Sequence, residues 1–197
     1  MQFVGLAIAP QLRQCYKGAK IMITHCNSIS YGSLASPLGT IYVALDGEKV
    51  IALSFTSGNQ ERFLRELGAR TSQSVRHSDA AVRPIVTELL EYFKGKRKEF
   101  SFSCDLSGHT DFQQRVLNAA ASIPFGQTRT YRWLAERAKS PDAFRAAGQV
   151  MAHNPVPIII PCHRVIGSSG GLCGFAGGLR AFDLKRKLLE IEGVNLS

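Results

Sequence analysis

The sequence predicts an α+β chain in two parts: a small antiparallel sheet covered by a helix, then a mainly helical part that contains a helix-turn-helix. Three observations predict it. Two β-branched runs flank Asp46-Gly47, a helical apolar period runs from Asp79 to Phe93, and helix start and stop signals crowd the second half. The 197 residues suffice for one large domain or two small ones, and 45% hydrophobic content can fill a core.

Residues 1–35 show no sustained period, and only a short strand at Lys20–Thr24 can be placed there, so they are read as an N-terminal extension of unknown role. Met1 to Ala9 is apolar like a secretory leader but has no basic residue ahead of it, so export is not expected. Thr40–Leu45 and Val50–Phe55 read as two strands of a hairpin turning tightly at Asp46-Gly47. Between Asp79 and Phe93, Val82, Ile85, Val86, Leu89, Leu90 and Phe93 share one helical face, which packs on that sheet. The basic cluster Lys94 to Lys98 ends this helix, and Phe100, Phe102 and Cys104 then alternate with serines as in a half-buried strand. Gly108-His109 is the expected boundary between an N-terminal domain, residues 36–107, and a C-terminal domain, residues 108–197.

In the C-terminal domain, Thr110 and Gln113 have capping-box spacing ahead of Phe112, Val116, Leu117 and Ala120, and this helix stops near Pro124. A short helix follows from Tyr131 to Ala138. Ser140-Pro141-Asp142 then has the chemistry of a helix start: a capping hydroxyl, a proline suited to the first position and a carboxylate at the positive end. That helix is expected to run to His153, where Asn154-Pro155 ends it.

The charge balance, 24 Lys and Arg against 15 Asp and Glu, fits nucleic acid as partner or a protein that is merely basic. The five cysteines, Cys15, Cys26, Cys104, Cys162 and Cys173, are odd in number and lack a CxxC pair, which fits a reduced, cytoplasmic setting. No apolar run nears the roughly 20 residues that span a bilayer, so no membrane partner is expected.

The helices at Tyr131–Ala138 and Pro141–His153 have the spacing of a helix-turn-helix or of a plain packing hairpin. Ala143, Ala146, Ala147, Gly148 and Ala152 make the second helix small-sided, with only Arg145 and Gln149 able to reach far. Reading base edges needs several long donors and acceptors, so this helix fits a backbone binder without sequence preference, with Arg145 as probe or as a solvated charge.

Ile158-Ile159-Ile160 leads into Pro161-Cys162-His163-Arg164-Val165. Positive neighbours lower a thiol pKa, and the thiolate is the nucleophile; the alternative is a buried cysteine acting as a small hydrophobe. In an extended segment, Cys162 and His163 would face apart, so coupling through one water is the expected route. In a C-terminal helix around Phe182–Gly193, Leu184, Leu188 and Ile191 define an apolar stripe that also carries Glu192, while Glu190 points to solvent. An inward carboxylate needs a partner, and His163 would serve, unless the helix end frays and Glu192 reaches water. The glycines from Gly167 to Gly178 match no nucleotide-binding pattern, and no cofactor is expected.

Ile160-Pro161-Cys162-His163-Arg164-Val165, with Gly177-Gly178-Leu179 and Glu192, closely resembles the O6-alkylguanine-DNA alkyltransferase (methylated-DNA–protein-cysteine methyltransferase) family. Ile123 to Gly126, Thr130-Tyr131, Arg145 and Asn154 to Pro157 extend the resemblance over about Phe112 to Gly193; Ser36–Leu106 resembles it more loosely. The resemblance implies an RNase H-like N-terminal domain and a winged-helix-like C-terminal domain. It implies a monomer that binds double-stranded DNA bearing O6-alkylguanine, with O4-alkylthymine a further candidate, and that flips the base from the minor groove.

Cys162 would then accept the alkyl group irreversibly, activated through a water by His163 with Glu192 behind it. Tyr131 would turn the nucleotide out and protonate the leaving base, Arg145 would fill the gap, and Asn154 would stiffen the turn before Cys162. Thr130, Ala143, Ala146 and Gln149 would lie against DNA; Pro157, Val165, Phe175, Ala176 and Gly177 would wall the base pocket. Two features depart from the pattern: Phe175 stands where tyrosine is frequent, and Arg180-Ala181-Phe182-Asp183 makes the segment before Leu184 about three residues longer. Cys15, His25 and Cys26 do not match the zinc spacing of some relatives, so no metal is expected. A lesion-binding relative without chemistry would lack Cys162. A cysteine hydrolase or a transcription regulator fits the motifs less well.

Overall fold

The computed structural model describes residues 28–55, 59–172 and 179–194. The expected strand at Lys20–Thr24, the cysteines Cys15, Cys26 and Cys173, His25, and the pocket residues Phe175, Ala176 and Gly177 lie outside the described residues.

The hairpin forms as expected, with β2 over Gly39–Asp46 and β3 over Lys49–Ser54. Gly47 takes the left-handed conformation at the turn, with φ 58°. The sheet has two further strands, β1 (Ile29–Ser36) and β4 (Val75–His77), in the order β3-β2-β1-β4. The strand β1 corrects the reading that placed no element just before residue 36. Its first four residues are all buried, including Ser30 and Gly32, so no alternation marks it. Because β4 joins β1 in parallel, the sheet is mixed rather than purely antiparallel.

Helix α1 (Gln60–Gly68), capped by Asn59, covers one face of the sheet with Phe63 and Leu67 and has no counterpart in the sequence reading. Helix α2 (Asp79–Phe93), capped by Ser78, covers the other face with Val82, Ile85 and Leu89, as the periodicity predicts. A Cβ on Gly32 would stand 2.4 Å from Val82 Cγ2, so glycine lets α2 lie this close to β1. The segment Phe100–Cys104 is not a strand. It makes one bridge, Val50 N to Ser103 O and Asp105 N to Val50 O, while the phenylalanines still turn inward.

In the second half, α3 (Asp111–Ala121) begins with the expected capping box, closed from both sides by Thr110 and Gln113. Helix α4 (Tyr131–Arg137) follows, capped by Thr130. Helix α5 spans Phe144–Ala152, so the expected start at Ser140-Pro141-Asp142 is wrong. Ala143 N–H bonds Ser140 O in a separate turn, and Lys139 ahead of it has φ 57°, so Pro141 and Asp142 are spent on the turn between the helices. Two short strands, β5 (Arg129–Thr130) and β6 (Val165–Ile166), pair in parallel and tie the start of α4 to the chain just after Cys162. Helix α6 (Leu179–Ile191) closes the fold.

The two halves share an interior. Val156, Ile158 and Leu188 join Leu34, Ile41, Val43, Ile85, Leu89 and Tyr92 in one apolar cluster, and Leu53 N–H donates to Pro155 O at 2.9 Å across the junction. An interface this apolar holds the halves as one body. No helix among the described residues is long and apolar enough to cross a membrane.

Candidate active site

Cys162 is delivered by a folded turn rather than an extended run. Asn154 Nδ2 donates to Ile160 O at 2.7 Å, its Oδ1 accepts from Val156 N–H at 3.0 Å, and Ile160 N–H bonds Val156 O at 2.9 Å. Within this turn the buried Ile158 holds φ 75°, a strained conformation for a β-branched residue that only a fully packed surround maintains. Cys162–Arg164 then makes a single 3₁₀ turn, so the expectation of an extended segment there is corrected. Cys162, His163 and Arg164 are all buried.

His163 Nε2 lies 2.7 Å from Glu192 Oε1, and both side chains are wholly buried. Burial works to raise the Glu192 pKa, but hydrogen bonds from His163 and Arg164 hold it down at about 2. The carboxylate is therefore an anion that only accepts, which makes Nε2 the protonated nitrogen of a neutral His163. Burial, opposed by Glu192 and reinforced by Arg164 and Lys185, keeps the imidazole below its usual range and so neutral near pH 7. The lone pair then sits on Nδ1, which is buried and has no hydrogen-bond partner among the described residues. An imidazole so arranged can take a proton at Nδ1 while Glu192 steadies the resulting charge.

The helix phase thus placed Glu192 correctly, and Glu190 is exposed. Arg164 differs from its expected part. Its Nε donates to Glu192 Oε2 at 2.9 Å, Nη2 to Oε1 at 3.0 Å and Nη1 to Ile123 O, so it neutralises the carboxylate rather than the thiol. The cation that acts on the sulfur is Lys185, fully buried on α6, with Nζ donating to Val165 O and standing 5.9 Å from the centre of the Tyr131 ring.

The Cys162 thiol is raised by burial, against which the Asn154 side chain, the Lys185 charge and the backbone at Cys162 and His163 all pull downward. The resting group is a thiol, so a base is needed. Cys104 has no such neighbours, and burial pushes it up to about 12.

Tyr131 opens α4, half-buried, with its ring against Gly148 of α5, where an added Cβ would stand at ordinary contact distance, 3.7 Å. Thr130 spends its hydroxyl capping α4, accepting from Trp133 N–H at 3.2 Å. Arg145, Ala146 and Gln149 are exposed on α5, Ala143 is its half-buried cap, and Pro157 is half-buried before the cysteine. The carbonyls of Cys162 and Val165 already accept from Val165 N–H and Lys185 respectively. Arg145 is not alone on this surface. Arg145 and Arg132 both lie 5.5 Å from the centre of the Phe144 ring, and Arg129 and Arg137 both 5.7 Å from that of Trp133. Stacking on an aromatic face holds a guanidinium in place, and Arg129 is fixed further by donating to Thr128 O and Gln127 Oε1, both at 2.8 Å.

Two family models match end to end. The 6-O-methylguanine DNA methyltransferase ribonuclease-like domain covers residues 29–106, and the DNA binding domain of the same enzymes covers residues 111–194. The chain belongs to the 6-O-methylguanine DNA methyltransferase family. A methylated-DNA–protein-cysteine methyltransferase of Mycobacterium tuberculosis is 40% identical to this family member over 164 residues, 83% of the chain and 92% of the relative. One from Methanosarcina acetivorans is 37% identical over 163 residues, 83% and 97% of the two chains. The crystal structure of the M. tuberculosis O6-methylguanine methyltransferase aligns with a TM-score of 0.69 at 36% identity, over 83% of this methyltransferase-family chain and 92% of that one. A structure of the M. tuberculosis protein in complex with DNA gives 0.69 at 37% identity, with the same coverage.

Two residues of the site escaped the sequence reading, Lys185 and Tyr92. Lys185 follows Leu184 directly and would be assigned to solvent on composition alone. Tyr92 lies on the apolar stripe of α2, three residues after Leu89, and a phenol on such a face has to find a partner for its hydroxyl. Among the described residues no group of three His, Cys, Asp or Glu could hold a metal ion.

Proposed function

We propose that the chain repairs alkylated DNA by direct reversal, moving an alkyl group from O6 of guanine onto the sulfur of Cys162 in one irreversible event. The observation that carries this reading is the buried Cys162 thiol beside a neutral His163 whose Nε2–H is held by Glu192 and whose Nδ1 has no partner among the described residues. The names of the relatives support the same chemistry.

His163 Nδ1 takes the thiol proton through a bridging water, the sulfur attacks the alkyl carbon, and the C–O6 electron pair leaves with the guanine. The Tyr131 hydroxyl returns a proton to the base, with Lys185 beside the ring to favour that loss. The product is a thioether, whose C–S bond is a poor target for hydrolysis, so each molecule acts once. A buried thiol cannot reach a base inside the helix, so the guanine is extruded, at a cost of a few kcal/mol that is smaller for a poorly paired lesion. Arg145 fills the gap, and Ala143, Ala146, Gln149 and the stacked arginines follow the backbone without reading sequence. Pro157 and Val165 line the base pocket. The protein acts as a cytoplasmic monomer, and its two domains divide at Gly108-His109.

Incubation with duplex DNA carrying O6-methylguanine leaves one methyl group on Cys162, read by peptide mass spectrometry, and the methyl transferred never exceeds the protein present. Multiple turnovers, or full activity in Cys162→Ser, would overturn the reading.

A further inference from the structure

Tyr92 belongs to α2, 71 residues before His163 and 100 before Glu192. It is fully buried, its ring packed against Phe93, Phe100 and Phe125. Phenylalanine would fill that space equally well. What tyrosine adds is a hydroxyl that donates to Glu192 Oε1 at 2.8 Å and whose oxygen stands 3.4 Å from His163 Nε2.

The two oxygens of Glu192 accept from Tyr92, His163, Arg164 and the backbone N–H of Gly126. Tyr92 and His163 compete for the same oxygen. A second donor on an anionic acceptor drains charge from it, so the pull on Nε2–H weakens and the imidazolium becomes less stable. We propose that Tyr92 is a positioning residue for alkyl transfer: through Glu192 Oε1, its hydroxyl keeps His163 free to act as a base at lower pH than Glu192 alone would allow.

The inference rests on the reading of His163 as the base for Cys162. The other charged groups facing this cluster are Arg164 from the 3₁₀ turn, Lys185 from α6, and Lys98, 5.8 Å from the centre of the Phe125 ring that packs on Tyr92. Burial, and after it the Glu192 charge, hold the phenol protonated, so it is a donor throughout the working range.

The test is the pH dependence of single-turnover transfer by the full chain from methylated duplex. In Tyr92→Phe the acid limb moves to higher pH by about half a unit or more, because Glu192 then grips His163 harder. An unmoved limb, a limb moved to lower pH, or a loss of rate uniform in pH would overturn the inference, since a purely structural role scales the rate without moving the limb. Should Tyr92→Phe fold poorly, 3-fluorotyrosine at position 92 preserves the packing with a stronger donor, and the limb moves to lower pH; no movement counts against the inference.

Glu192→Gln separates the two readings. It removes the acceptor charge, and the limb moves to lower pH if His163 is the base. If Glu192→Gln leaves the limb in place, the relay reading fails and Tyr92 with it. If Glu192→Gln moves the limb and Tyr92→Phe does not, only the role of Tyr92 fails.

Discussion

Gly126 approaches Glu192 with its backbone alone: its N–H donates to Oε2 at 3.0 Å, and a Cβ added to it would stand 3.2 Å from the Glu192 carbonyl oxygen. Gly126 also has φ 74°, where an L side chain is strained. The turn after α3 is therefore shaped around the carboxylate that steadies His163.

Gly126→Ala tests this shape. The left-handed conformation costs about 1–2 kcal/mol for alanine, and the added carbon presses on the Glu192 backbone. The melting temperature is expected to fall by about 2–8 °C, with slower transfer because Oε2 loses its donor or moves. Wild-type stability and rate together would refute the account.

Lys185 is the cation that draws the Cys162 thiol downward. Lys185→Met keeps most of the buried length and removes the charge, so the thiol pKa rises. Transfer from methylated DNA near neutral pH is expected to slow about tenfold or more, a loss equivalent to one pKa unit, and to recover as the pH is raised. A loss that does not recover in alkali would point to Lys185 as a packing residue only, through its bond to Val165 O.

Stability in acid follows from two groups with lowered values. His163 is held below its ordinary 6.5, so an unfolded chain binds a proton there before the folded one does, and stability begins to fall as the pH drops through about 6.5. Glu192 adds to this lower down, between its ordinary 4.5 and about 2. Denaturant midpoints measured from pH 8 to pH 4 should decline, and should decline less in His163→Gln between about pH 6.5 and 5. Equal slopes in that window would show that His163 titrates alike in both states.

Arg145→Ala is expected to slow repair in duplex DNA by about tenfold or more while leaving transfer from free O6-benzylguanine close to wild type, because only the duplex needs a base extruded. Equal losses with both substrates would remove Arg145 from that role.

The features legible in the sequence were those with local signatures. The hairpin at Asp46-Gly47, the stripe on α2, the Thr110 and Gln113 cap, and the phase that turned Glu192 inward each rest on spacing within a few residues. Strand β1 escaped because Ser30, Gly32 and Ser33 break any apolar pattern, and it is the close approach of Val82 that explains Gly32. Pro141 misled because Ser140 can close a turn as readily as it caps a helix, and only the backbone bond from Ala143 decides between them. Lys185 and Tyr92 were out of reach for a different reason: each owes its place to a partner far along the chain.

The apolar cluster that Val156, Ile158 and Leu188 share with the first domain also limits how the chain can be recombined. A chimera that grafts residues 108–197 onto the first domain of a relative would transplant the thiol, the imidazole and the carboxylate yet inherit a foreign α2 against them. Compatibility between donor and recipient would then be decided at positions 85, 89 and 92, which are fully buried, and matching the surface of α4 and α5 would not rescue a mismatch there.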